Sequence, residues 1–206
     1  MYTEAYHTGE YIISEPDANF CRTDIYLRSG NLAAGTVLGR TVTATAGSGN
    51  TGGGSIGTLS ANANAPHGVY TLTCTAESSN AGTFSVVAPD GSSLGDATVG
   101  VAFDNVIGFT IADDDPDFAT DDTFTITVGC VLHNPAGSDG EAAAVGILYA
   151  ATDASSAAQN AVMTGRDTVV DRKALTWKSG VTAAQKSLAY VQLEALGIKS
   201  LVNVEG

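Results

Sequence analysis

Residues 123–128 alternate without a break: Phe124, Ile126 and Val128 fall on one face and Thr123, Thr125 and Thr127 on the other. That period of two is the pattern of a half-buried strand. Further strands are expected over 69–75, 83–87, 98–101 and 108–111, separated by turn residues such as Pro89-Asp90-Gly91. Proline fixes φ there and glycine accepts φ > 0. Short strands with tight turns predict a small antiparallel sandwich over this middle stretch.

The flanking segments read differently. Residues 24–27 and 35–39 suit two short strands around a turn at Ser29-Gly30-Asn31, and 144–150 suit an apolar strand. Residues 160–177 suit two more strands around Gly165. One helix is expected near the end. Thr182 and Gln185 form a capping box, Leu188, Val191, Leu193 and Leu196 supply apolar positions, and Gly197 fits a left-handed cap. Residues 198–204 can return as a last strand. Residues 1–20 lack periodic apolar positions and are expected to form an extended arm. The Gly-rich tract 46–57 is expected to be a flexible junction. The fold class is therefore mainly β, a β-rich α+β chain with one C-terminal helix.

Charge sharpens the division. Ten Asp and Glu and no Lys or Arg lie between residues 44 and 130, while the flanks hold all nine bases. An acidic module over 44–130 interrupting a discontinuous core domain over 21–43 and 131–206 explains this break. With a net charge of −13, no nucleic-acid partner is expected. No apolar run reaches the length of a membrane span. The opening residues carry neither a basic nor an apolar region of a secretory signal, and three dispersed cysteines, Cys21, Cys74 and Cys130, suit reduced thiols made in a cytoplasm.

Candidate chemistry changes little. Gly47-x-Gly49-x-x-Gly52 has dinucleotide-loop spacing and Gly53-x-Ser55-x-Gly57 has nucleophile-elbow spacing. Both need a helix directly afterwards, and the tract is glycine-rich instead. Asp113, Asp115 and Asp117 open like a calcium loop, but Phe118 and Phe124 stand where Gly and Glu are required. A solvated acidic loop is the favoured reading, with a weak irregular Ca²⁺ site as its rival. His7, His67 and His133 are isolated. No catalytic, cofactor or metal residues are assigned.

Joined across the middle stretch, the flanks resemble the lambda-type bacteriophage head decoration proteins. The segment His7-Thr8-Gly9-Glu10-Tyr11-Ile12-Ile13-Ser14-Glu15 is similar to that family's H-x-G-E-F opening, and residues 31–39 to its L-x-A-G-T-V-L-G strand. Residues 134–150 are similar to its D-G-x-x-x-A-x-G-I-L segment, and Ala174-Leu175-Thr176-Trp177 with 180–186 and 196–198 to its closing strand and helix.

The resemblance implies a non-enzymatic virion protein without cofactor. Its partners would be the major capsid protein and itself, as a homotrimer at three-fold and quasi-three-fold sites. It would hold the expanded head against DNA pressure from the capsid's outer surface, after assembly in the bacterial cytoplasm. Residues 1–20 would be the capsid-binding arm, with His7, Thr8, Gly9, Glu10, Tyr11, Ile12, Ile13 and Ser14 ordering on the shell by strand addition. Trp177, Ile147 and Leu148 would serve the core or the trimer contact. The alternative is a glycan-binding or host-surface adhesin carried by the middle domain. Its six aromatics, Tyr70, Phe84, Phe103, Phe109, Phe118 and Phe124, mostly alternate like core positions, which weakens that alternative.

Overall fold

A computed structural model of the chain describes residues 7–202. The first strands are β1 (Ile12–Ser14), β2 (Arg22–Leu27), β3 (Gly30–Leu32) and β4 (Val37–Ala46), with a single helical turn, α1 (Ala18–Cys21), before β2. Next come β5 (Ser55–Ala61), β6 (Gly68–Ser78), β7 (Ala81–Val87), β8 (Ser93–Thr98), β9 (Ala102–Asp104), β10 (Ile107–Ala112) and β11 (Thr123–Leu132). The chain closes with β12 (Ala144–Leu148), β13 (Thr152–Ala154), β14 (Gln159–Thr164), β15 (Val169–Asp171), helix α2 (Ala183–Ala195) and β16 (Lys199–Leu201). The mainly β class with one C-terminal helix is thus observed. The chain forms two compact units, residues 1–41 with 129–206, and residues 42–128. It passes between them within β4 and within β11.

In the first unit β14 pairs antiparallel with β2 and with β12, and β12 with β4. β15 lies between β1, antiparallel, and β16, parallel. Consecutive residues on the central strands face opposite cores. Val37 and Ile147 join Tyr11, Val170, Ala189, Leu193 and Ile198, whereas Leu38 and Leu148 join Ile25, Leu27, Cys130 and Met163. A strand covered on both faces reads as a continuous apolar run, as Ala144-Val145-Gly146-Ile147-Leu148 does. Gly39 has no room for a side chain: a Cβ there would lie 2.4 Å from the Glu141 carbonyl oxygen.

Helix α2 starts as expected. Thr182 accepts from Gln185 N–H at 3.3 Å and the Gln185 side chain accepts from Thr182 N–H at 2.9 Å. Gly197 follows the helix at φ +80°. The apolar stripe, however, is not the expected one. Leu193 is buried with Ala189, while Leu188, Val191 and Leu196 are 57%, 62% and 39% exposed. An alanine lets the helix lie close to the sheet, so the small residue is buried and the larger neighbours are turned out.

In the second unit, β6 pairs antiparallel with β11 and with β7, and β7 with β8; β10 pairs with β5 and with β9. Their apolar faces share one core, including Tyr70, Leu72, Phe84, Val86, Ile107, Ile111, Phe124 and Ile126. The Pro89-Asp90-Gly91 turn closes with Gly91 N–H donating to Ala88 O at 2.9 Å. The expected strand over 98–101 is absent, because β8 ends at Thr98 and Gly100 turns at φ +77°.

The Gly-rich tract is not a loose junction. Asn50 exchanges two hydrogen bonds with Thr123, at 2.7 and 2.8 Å. Asp122, 4% exposed, accepts from Thr51, Gly52 and Ala119 N–H at 2.7, 2.8 and 2.9 Å. Phe118 lies against the bare backbone: a Cβ on Gly54 would sit 2.1 Å from its ring. Gly47, Gly52, Gly53 and Gly54 serve close packing, and the chain continues directly into β5. Phe118, Phe84 and Phe124 form a triad with ring centres 5.0 to 5.8 Å apart.

Candidate functional site

The segment expected to bind a partner is anchored by its own aromatic residue. Gly9, at φ +70°, donates its N–H to Tyr149 O at 3.1 Å, and Ile12 N–H returns to Gly9 O at 2.9 Å. This turn drives Tyr11 inward, where it is fully buried. Its hydroxyl lies 2.6 Å from Thr164 Oγ1 and donates to Ile147 O at 3.3 Å. Burial holds the phenol well above its ordinary pKa, and the Thr164 contact offsets part of that. Asp171 N–H donates to Tyr11 O at 2.8 Å, and Ile12 registers with Val170 in β15. Arg22 lies 3.8 Å over the Tyr149 ring and forms an ion pair with Glu15.

An extended arm apart from the core is therefore corrected for the described part of residues 1–20; residues 1–6 lie outside the described residues. Tyr11, with the Gly9–Tyr149 and Ile12–Val170 pairings, ties down a segment whose other positions show no period. The sequence signal for this was weak, since a lone tyrosine in a polar stretch has no periodic partner. His7, Thr8, Glu10, Ile13 and Ser14 remain exposed. β1 stands at the end of its sheet, with β15 on one side only. Its second edge is open to pairing among the described residues.

Ile147 and Leu148 are fully buried on opposite faces of β12, which places both in cores. Trp177 is half-buried and packs edge-on against Tyr190, ring centres 5.5 Å apart, and against His133 at 6.0 Å. His133 is 2% exposed and its Nε2 faces Ala142 O at 3.2 Å. Burial lowers its pKa from the ordinary imidazole value, partly offset by that carbonyl. Arg172 lies 4.3 Å over Tyr190, and Lys186 lies 5.6 Å over Trp177. No sequence period announced this row of rings and cations.

The chemical motifs come apart in three dimensions. Asp117 accepts from Asn80 N–H at 3.0 Å and Asp114 from Asp115 N–H at 2.9 Å. Among the described residues no three His, Cys, Asp or Glu side chains are placed to share a metal ion. Ser55 begins a strand, not a helix, so no elbow forms. Tyr70, Phe84, Phe109, Phe118 and Phe124 are all buried. Among the described residues, no helix is long and apolar enough to cross a membrane.

The family described as "Bacteriophage lambda head decoration protein D" has a model that matches residues 1–198. Comparison with curated proteins finds no match. Among solved structures, two crystal forms of Xanthomonas campestris FlgL are similar at 23% identity, with TM-scores of 0.34 and 0.35. They cover 47% and 52% of this chain and 33% and 32% of the FlgL chains, so the match spans about a third of the FlgL length. At those scores the likeness carries no argument.

Proposed function

This chain belongs to the bacteriophage lambda head decoration protein D family, a family of structural capsid proteins, and from that membership we propose how it holds a phage head together. It binds the outer surface of the expanded capsid as a homotrimer at three-fold and quasi-three-fold sites, and it stabilises the shell against packaged DNA. Binding only the assembled shell favours that state by mass action, and a trimer spanning several subunits multiplies modest contacts. The major capsid protein is the partner, and no cofactor, nucleic acid or membrane takes part.

The observation that carries the shell contact is the open edge of β1 beside exposed Ile13. A capsid segment pairing there gains main-chain hydrogen bonds, with Ile13 available as a side-chain contact. Exposed Leu188 and Val191 on α2 support self-association, since adjacent exposed apolar residues commonly mark interfaces. The 42–128 unit is an appendage of this clamp.

Cosedimentation tests the reading. The purified chain should pellet with expanded shells stripped of decoration protein and should delay their rupture on heating. Shells that neither retain the chain nor gain heat resistance would refute it.

A further inference from the structure

Residues 166–199 hold six of the nine bases, Arg166, Arg172, Lys173, Lys178, Lys186 and Lys199, against three acids, Asp167, Asp171 and Glu194. In a chain with 22 Asp and Glu, basic residues have abundant carboxylates to pair with. Yet among the described residues Arg172, Lys178, Lys186 and Lys199 have no carboxylate partner, whereas Arg22 of the same unit pairs with Glu15. Two of them rest on rings. Arg172 lies over Tyr190, Tyr190 stands edge-on to Trp177, and Lys186 lies over Trp177. Arg172 Nε donates to Ser200 Oγ at 3.0 Å, which fixes the guanidinium while leaving its other N–H groups directed elsewhere. The Asp171 carboxylate is already engaged by Lys173 N–H at 2.9 Å.

We propose that the Arg172–Tyr190–Trp177–Lys186 row, with the exposed Lys178 that follows Trp177 in the chain, is a docking surface for an acidic protein segment, and that on the head this segment belongs to the major capsid protein. The shell half of this rests on the function proposed above. Cations held on ring faces are pre-oriented and partly dehydrated, so an incoming carboxylate meets fixed donors. Arginine offers a fork that matches a carboxylate, and flanking lysines lengthen the attractive surface. Nucleic acid fits less well, because a net charge of −13 opposes a long polyanion, whereas a short acidic segment engages the row locally.

Lys186 and Tyr190 face Trp177, whereas Leu188 and Gln192 line a groove with Ala142; His133 touches both, lying 6.0 Å from Trp177.

The test is binding of the full chain to expanded, undecorated shells across a salt series. A triple variant, Arg172→Gln, Lys178→Gln and Lys186→Gln, should bind roughly tenfold or more weakly at low salt and show a flatter salt dependence. Arg166→Gln, which removes a base over Phe20 at 5.4 Å away from this row, should bind like the parent. Light scattering on the triple variant should return the parent's mass. Equal binding and equal salt dependence of the triple variant would overturn the proposal while leaving decoration intact. Equal losses in Arg166→Gln would also overturn it, since bulk charge would then explain the effect. Parent chain that binds no shell sinks the decoration reading and this partner together. Binding of duplex DNA through the same three residues, at the affinity seen for shells, reassigns the surface to nucleic acid and overturns the acidic-protein partner.

Discussion

Tyr11 and Thr164, 153 positions apart in sequence, meet hydroxyl to hydroxyl at 2.6 Å inside the first unit. That contact makes the N-terminal segment a structural member of its unit as well as a candidate binding element. Tyr11→Ala should cost about 3–5 kcal/mol, the range for emptying a buried aromatic site. Tyr11→Phe should cost only about 1 kcal/mol, the net worth of a hydrogen bond. Denaturant unfolding of the pair reads both. Deletion of residues 1–15 should therefore destabilise the unit and abolish shell binding together; a deletion that leaves the unfolding midpoint unmoved would contradict the anchor.

Asp122 clamps the Gly-rich tract through three backbone N–H donors. Burial pushes its carboxyl up, but the N–H groups of Ala119, Thr51 and Gly52 outweigh this and hold it below its ordinary value. A carboxyl lowered in the folded state adds stability above its unfolded pKa, about 3.9, and that stability is lost as pH falls through the lower folded value. Asp122→Ala should cost about 2–4 kcal/mol at neutral pH and should flatten the acid limb of the unfolding curve below about pH 4. Calorimetry across pH 2–7 checks the sign.

Leu188 and Val191 are 57% and 62% exposed on α2. If they pack between subunits, Leu188→Glu with Val191→Glu should shift the chain from trimer to monomer without loss of helix. Light scattering and far-ultraviolet circular dichroism separate the two effects. A parent chain that is monomeric in solution yet binds shells would mean that trimers form only on the head.

Excising residues 42–128 should leave a chain that folds and still decorates heads. The two ends are already in contact, since Thr41 Oγ1 donates to Gly129 O at 3.5 Å. A short Gly/Ser link joins them without strain. An excised chain that fails to fold, or folds and no longer binds shells, would show that this unit is part of the clamp.

The sequence carried much of this wherever one local rule acted alone. Thr182 and Gln185 set the helix start, Gly197 its end, and the alternation at Phe124, Ile126 and Val128 one face of a core. It failed where packing depended on distant partners. Tyr11 has no local period, and its burial requires Thr164 and Ile147. Glycines read as flexible when Phe118 is unseen, because the same missing side chain that loosens a free chain admits a ring at close range. In α2, Ala189 is buried beside Leu193, while the larger Leu188, Val191 and Leu196 are exposed. The Trp177 row was hidden because Arg172, Trp177, Lys186 and Tyr190 converge only once β15, the segment after it and α2 are in place.

The Thr41–Gly129 contact also bears on the order of events during folding. While residues 42–128 are unstructured, bringing Thr41 to Gly129 closes a loop of 87 residues. Once that stretch has folded on its own contacts, the same closure is entropically that of a tight turn, a saving of about 3 kcal/mol by the logarithmic scaling of loop entropy. The first unit then behaves kinetically as a much shorter chain. It should therefore fold faster when the middle stretch has folded first.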